Sequence, residues 1–355
     1  MKNLKVTKRG IALAILGMML TNSSLADNRI ITFIDQDVSN IEAYSDYKTD
    51  YDNYIPYTLN MSEYSNFTSR DYEVYKMIIN NVLNHVENIT KPDDLENSDF
   101  VRVAKTLQDS EYWTILETLE YNKETKILTI YYRYPTKEEC IDKMNTVHDY
   151  MQNIINEIIE PDMNDLDKIM VLYKYVVDNF KYDKKFPKNS MIKSPKDPSK
   201  DLTLYETIYE LQSNNTGVCH SFSFFMGYVA NMLGIKMSSI RGKYNGTAHM
   251  WLIAEIDGNN YYFDPTFDIT HDTKLQYFGL TKNDREKGKI TDFIPDNYAY
   301  DMNLANENTF KDLRNATNYN YIGNHIFEIK FGKKVRYYNT ETKLLTKEKP
   351  ESITR

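Results

Sequence analysis

Cysteine is almost absent from this chain. Its 355 residues carry two, Cys140 and Cys219, which excludes both a disulfide scaffold and a four-cysteine zinc module. Basic charge is also short, with 43 Lys+Arg against 51 Asp+Glu and a net charge of −8. Binding to a phosphate backbone needs a basic surface, so no nucleic-acid partner is expected. Long apolar runs are missing too. Ile11 to Leu20 spans ten residues, half of what a membrane span requires, and no later stretch does better. Internal repeats and low-complexity tracts are not seen. What remains, 41% hydrophobic and 26% charged, is a globular composition, too apolar for a disordered chain and long enough for roughly two domains.

The first 26 residues read as an address. Lys2, Lys5, Lys8 and Arg9 precede the apolar Ile11–Leu20 stretch, and Ser24-Leu25-Ala26 supplies small residues before a cut. That is the layout of a secretory signal peptide, with no cysteine beside the cut to carry a lipid. The mature protein is expected outside the cytoplasm, secreted or in the cell envelope, with no membrane span after the leader is removed. A buried N-terminal helix is the alternative, but neither a polar stripe nor a cap supports it.

Residues 27–68 are rich in Tyr, Asp, Asn and Ser and show little periodicity. Ser69 is expected to cap a helix running to about Asn88, with Tyr72, Tyr75, Ile79, Val82, Leu83 and Val86 as its apolar stripe. Thr114 to Tyr134 reads as a hairpin turning at Asn122-Lys123-Glu124-Thr125. Thr136 to Glu160 and Asn164 to Phe180 read as helices, the second presenting Ile169, Leu172, Tyr173, Val176 and Val177 on one face. Asp183 to Leu202 holds lysines and prolines without apolar periodicity, a surface loop or a basic flap beside a cleft. His325 to Tyr338 reads as a small hairpin around Phe331-Gly332-Lys333, followed by a polar tail. The expected organisation is a signal peptide (1–26), an accessory region of helix and hairpin (27–135), a catalytic domain (136–300) and a C-terminal hairpin and tail (301–355).

The segment with chemistry begins at Gly217. From Cys219 to Leu233 the pattern is helical, with Phe222, Phe225, Met226, Val229 and Leu233 buried and Gly234 as terminator. Cys219 falls in the first turn, where unpaired backbone amides and the helix dipole favour a thiolate and can hold an oxyanion. Downstream, Ala248 to Ile256 and Tyr261 to Thr266 flank Asp257-Gly258-Asn259-Asn260, a hairpin signal. With Asp257-Gly258 as the turn, Trp251 faces Asp264 and His249 lies diagonal to Asp264 on the same face. Such neighbours are ~7–8 Å apart at the backbone, within side-chain reach, so one carboxylate can orient one imidazole.

Gly217-Val218-Cys219 at a helix start, His249-Met250-Trp251, and Tyr262-Phe263-Asp264-Pro265-Thr266, in this order, resemble the catalytic core of the transglutaminase-like superfamily. The intervals fit, with 30 residues from Cys219 to His249 and 15 from His249 to Asp264. The match is strong from about Asn164 to Thr270. A weaker echo from Ser110 to Leu280 includes Glu111-Tyr112-Trp113, which is similar to the accessory region of secreted bacterial members. Two positions depart from the usual pattern: Leu252 stands where Asn is frequent, and His220 where glutamine, glycine or arginine follows the nucleophile. The resemblance implies an α+β, papain-like core in which the nucleophile helix packs on an antiparallel sheet. It also implies Cys219 as nucleophile, His249 as base and then acid, and Asp264 as the orienting carboxylate. Acyl transfer from an amide through a thioester follows, more readily as a peptidase or amidase than as a cross-linker. Gln212 is the leading candidate for the second oxyanion donor, with Asn214 and Tyr205 open. Trp251 is a candidate wall of the substrate cleft. No cofactor and no metal is expected, and the partner is a protein or peptide substrate.

Three rival readings stand beside this one. A zinc site from Cys219, His220, His249 and His271 fits no common ligand spacing. A Cys140–Cys219 disulfide would consume the nucleophile. A non-catalytic extracellular scaffold or adhesion module would keep the fold and bind through the segment before Thr68 or the C-terminal hairpin. For the leader, the expected outcome is a mature N-terminus at Asp27 in medium or envelope fractions, read by N-terminal mass spectrometry. Protein beginning at Met1 and confined to the cytoplasm would refute it.

Overall fold

A computed structural model describes residues 68–109, 114–185, 191–193, 201–203, 208–285, 293–295 and 304–350. The leader, the segment up to residue 67, Glu111-Tyr112-Trp113 and Tyr205 lie outside the described residues. Helices and antiparallel strands alternate in a mixed, α+β arrangement, as expected.

The first helix, α1 (Ser69–Leu83), is capped by Thr68 rather than Ser69. Thr68 Oγ1 accepts the Asp71 amide at 3.2 Å while Asp71 Oδ2 accepts the Thr68 amide at 2.6 Å, a reciprocal capping box. The helix stops well short of Asn88. His85 turns the chain at φ 59° and stacks on Tyr132, which lets β1 (Asn88–Thr90) pair with a strand further on. Those backbone pairs replace the helical turn that the apolar spacing of Val86 suggests. Next come α2 (Asn97–Lys105) and the hairpin of β2 (Leu116–Asn122) and β3 (Ile127–Tyr132), turning where expected. The three strands lie in the order β1-β3-β2. Val74, Ile78, Phe100, Leu119 and Leu128 form a core of their own, which Cys140 of the next helix also enters. Cys140, past residue 135, thus packs into this N-terminal core.

Two long helices follow, α3 (Lys137–Ile158) capped by Thr136 and α4 (Asp165–Asn179) capped by Asn164, both as the sequence suggests. The short β4 (Lys181–Tyr182) precedes β5 (Met191–Lys193) and β6 (Asp201–Thr203), which pair antiparallel inside the lysine-rich stretch expected as a loop. Then come α5 (Ile208–Asn214), β7 (Thr216–Gly217) and α6 (Cys219–Met232). Phe222, Phe225, Met226 and Val229 of α6 are completely buried. At ~1.5–3 kcal/mol for each such side chain, this stripe holds the helix rigidly in the main core.

Against α6 lies a sheet of β8 (Met237–Tyr244), β9 (Thr247–Ile256), β10 (Asn259–Phe263) and β11 (Phe293–Pro295), in the order β10-β9-β8-β11. Both faces are covered. Met250, Leu252 and Ala254 of β9 point into the main core, whereas Trp251 and Ile253 join Tyr262, Phe267 and Leu280 on the other side. The short helices α7 (Pro265–Thr270) and α8 (Lys282–Arg285) close that second face. Among the described residues no helix is long and apolar enough to cross a membrane.

The C-terminal part is more than a hairpin and tail. β12 (Asn318–Tyr321), β13 (Ile326–Phe331), β14 (Lys334–Asn339) and β15 (Leu344–Thr346) form a four-stranded meander, and the expected hairpin is its middle pair. Phe310, Leu313, Ala316, Tyr319, Phe327 and Ile329 are buried in the same core as α4 and α6. His325 Nδ1 contacts Asp167 of α4 at 2.6 Å, and Tyr319 donates its hydroxyl to the Met170 carbonyl at 3.1 Å. Burial of these apolar faces, hidden in an Asn-rich sequence, packs residues 304–350 onto the core that holds α4 and α6.

One close approach locks that packing. Gly279 has φ +59°, and a Cβ added there would sit 2.2 Å from the Phe310 ring. Gly279→Ala is expected to destabilise the protein by about 2–4 kcal/mol, from left-handed backbone strain plus overpacking. The measurement is the urea unfolding midpoint, and an unchanged midpoint would contradict the Gly279–Phe310 packing.

Candidate active site

The site begins with a tight entry into α6. β7 pairs in parallel with β4, and Gly217 then passes so near α6 that a Cβ would lie 2.9 Å from the Ser221 Cβ. Val218 precedes the first helical residue, and valine has no side-chain oxygen to cap the first-turn amides. Ser221 instead turns its hydroxyl back to accept the Val218 amide at 3.3 Å. Cys219 is the first residue of α6, so its side chain leaves the chain at the positive end of a helix fixed in the core. Cys219 is partly exposed and unbonded to Cys140.

His249 and Asp264 arrive through the hairpin. Asp257 and Gly258 both take positive φ, 51° and 74°, as a two-residue hairpin turn requires. The register runs from Asn259 opposite Ile256 to Phe263 opposite Leu252. Asp264 is the next residue beyond the ladder, and His249 sits diagonal to it. The His249 Nε2–H donates to Asp264 Oδ2 at 2.8 Å, and both side chains are essentially buried. Cys219 lies beside the same imidazole and acts on it electrostatically. With Nε2 committed to Asp264, Nδ1 is the ring nitrogen left for the sulfur.

Burial alone would lower the His249 pKa. The Asp264 carboxylate outweighs it and, with a smaller contribution from Cys219, pushes the ring up to about 9. Burial would likewise raise the Asp264 carboxyl, but His249 and Arg285 hold it below the ordinary carboxylate range. Asp264 also caps α7, its Oδ1 accepting the Thr266 amide at 3.1 Å, with Pro265 at the first helical position. Aromatic rings box the imidazole: Phe267 at 5.2 Å, Trp251 at 6.0 Å and Tyr244 at 6.5 Å between centroids.

Cys219, His249 and Asp264 are therefore brought together. Trp251, expected as a cleft wall, is completely buried; it stacks beneath His249 and cannot line an open cleft. Both faces of the sheet are covered, which the alternation of residues in β9 does not reveal. Gln212 lies half-buried on α5, next to α6, and its Oε1 is buried without a hydrogen-bond partner. Asn214 is exposed at the end of α5. His271 Nδ1 engages the Phe267 carbonyl at 2.6 Å. Among the described residues no three His, Cys, Asp or Glu side chains gather as a metal site.

Arg285 escaped sequence reasoning. Its guanidinium donates from Nη2 to Asp264 Oδ2 at 2.6 Å and stacks 5.0 Å over the Trp251 ring, fully buried. A faint signal existed: Thr281-Lys282-Asn283-Asp284 is a capping-box pattern, and the structure forms it, with the Thr281 hydroxyl on Asp284 at 2.7 Å. Nothing local ties that short helix to Asp264.

The two thiols are expected to react very differently. Cys140 is buried in the accessory core, and that burial pushes its pKa up to about 11. At pH 7.5 iodoacetamide should alkylate Cys219 at least about tenfold faster than Cys140, and His249→Ala should slow the Cys219 reaction. Peptide mass spectrometry over time gives both rates; equal labelling of the two cysteines would contradict the site.

No protein-family model matches the chain, and no curated protein matches it. Among solved structures, a crystal structure of a TGase is similar to part of it, at 16% identity and a TM-score of 0.27. The chain spans half the length of that structure, and half of this chain is covered. A score that low does not show a common fold.

Proposed function

We propose that this chain is an exported thiol enzyme of the transglutaminase-like type, which cleaves an amide through a Cys219 thioester. The observation that carries this reading is the chain of contacts from Cys219 through the His249 ring to the buried Asp264, with Cys219 at the open first turn of α6. A histidine that holds its proton at neutral pH has a proton ready for the leaving amine. The sulfur attacks the amide carbonyl, the first-turn amides receive the developing oxyanion, and His249 protonates the departing nitrogen. Water then enters, His249 accepts its proton, and the thioester opens to an acid. We take water as the acceptor because it needs no binding surface of its own; an amine in its place would turn the same thioester to cross-linking. The substrate is a protein or peptide, and the basic, apolar and small-residue pattern of residues 1–26 supports action outside the cytoplasm.

Casein and peptidoglycan peptides, with and without a primary amine donor, test the reading, release of acid or amide product being measured by mass spectrometry. Cys219→Ala and His249→Ala should each lower turnover by at least about a thousandfold, as nucleophile and base act together. Asp264→Asn should retain more activity, since Asp264 takes no covalent part; alanine is the poorer choice, because it also removes the side-chain acceptor that the buried Arg285 needs. Full turnover in Cys219→Ala would overturn the reading.

A further inference from the structure

We infer that Arg285 is a positioning residue of this site: a permanent counter-ion that keeps Asp264 anionic while His249 gains and loses its proton. The inference rests on the thiol-enzyme reading above and extends it to a residue outside the three-motif core.

The geometry is unusual in one respect. A single oxygen, Asp264 Oδ2, receives both His249 Nε2 at 2.8 Å and Arg285 Nη2 at 2.6 Å, and all three side chains are buried or nearly so. During a turnover His249 must hand its proton to a leaving nitrogen. Without Arg285, Asp264 would then be a buried anion with no cation beside it, and it would draw the proton back. Arginine does not titrate in a protein, so Arg285 compensates Asp264 in both proton states of the ring. Its positive charge also opposes a proton on His249, which keeps the imidazolium acidic enough to donate.

Arg285 is itself held from two sides. Its guanidinium lies over Trp251, the residue that stacks under His249. Its neighbour Asp284 accepts Arg314 Nη2 at 2.8 Å and the Asn308 side-chain amide at 3.0 Å, which ties α8 to the segment before β12. The other titratable groups facing the His249–Asp264 pair are Cys219 at the start of α6, Asp268 on α7, Tyr173 on α4, Tyr244 on β8 and Tyr277, and Tyr262 on β10 faces Arg285. None of them is a cation, so Arg285 is the fixed positive charge of the cluster among the described residues.

The test uses iodoacetamide on Cys219 as a substrate-free rate, followed against pH in the mature protein, with the His249 ring titrated by nitrogen-15 NMR. Removing one positive charge raises the proton affinity of every group near it. In Arg285→Met the limbs of the alkylation profile and the His249 titration should therefore move up by about one to three pH units. Arg285→Lys should keep the titration near that of the wild type while lowering the rate, because the charge stays and the fork is lost. A uniform loss of rate in Arg285→Met, with no movement in pH, would reduce Arg285 to a packing residue and overturn the inference. His249→Gln supplies a check that needs no Arg285 variant to fold: carbon-13 carboxyl NMR should show Asp264 still ionised at pH 7. An Asp264 that takes up a proton there would also overturn the inference. If instead wild-type Cys219 reacts no faster than the His249→Ala protein, the thiol-enzyme reading falls, while the NMR titrations still decide what Arg285 does to Asp264.

Discussion

A carboxylate with no exposure to water is the constraint around which this protein is arranged. Asp264 is fully buried, with its carboxyl held below the ordinary carboxylate range by His249 and Arg285, and a lone buried anion is among the costliest groups a fold can hold. Four elements converge to compensate it. β9 brings His249, α8 brings Arg285, α7 offers the Thr266 amide, and the end of β10 sets the carboxylate between them. The same side chain therefore caps a helix, closes a hairpin and orients an imidazole. A helix cap and the partner of a buried imidazole are here one residue, and its substitution disturbs both.

That convergence explains why the C-terminal part of the chain belongs to the site. Residues 304–316 cross the main core through Phe310, Leu313 and Ala316, and their Arg314 and Asn308 grip Asp284. α8 has only four residues, too few to hold a helix by its own hydrogen bonds. It stands because Thr281 caps it and Arg314 anchors it, and so Arg285 reaches Asp264. The meander beyond is fastened to α4 by His325 on Asp167, the residue that also completes the capping box of α4. Charge pairs thus fasten the C-terminal part at two separate places, Asp167 on α4 and Asp284 on α8.

Much of the centre was legible in the sequence because it depends on short-range rules. Asp257-Gly258 specifies the turn, the turn specifies the register, and the register places His249 diagonal to Asp264. The apolar stripe of α6 and the glycine before it likewise place Cys219 at a helix start. What stayed hidden depends on partners far along the chain. Trp251 looks like a cleft residue until α7 and α8 cover its face, and Arg285 is one charged residue among many until Asp264 is seen beside it. The end of α1 was misplaced for the same reason: Val86 continues the helical spacing, but pairing with β3 offers residues 88–90 a better use for their backbone groups. In the C-terminal meander only scattered positions are buried, Ile326, Phe327 and Ile329 in one strand and Tyr338 in the next, so the core-facing residues form no regular alternation that the sequence would reveal.

Asp268 shows how closely the environment decides the chemistry. It lies one helical turn after Asp264, on α7, and is just as buried. Its partners are the Tyr173 hydroxyl at 2.6 Å and the amides of Gln276 and Tyr277, all neutral donors. Burial therefore prevails over them and pushes its pKa up to about 7, while Asp264, with two cationic neighbours, is held down. The difference has a consequence for His249. A second full anion one turn away would hold the imidazole proton still more firmly and make the ring a poorer acid. By giving Asp264 the cations and Asp268 only neutral donors, the fold weights the negative charge toward the carboxylate beside the imidazole, and leaves the other to a structural link between α4 and α7.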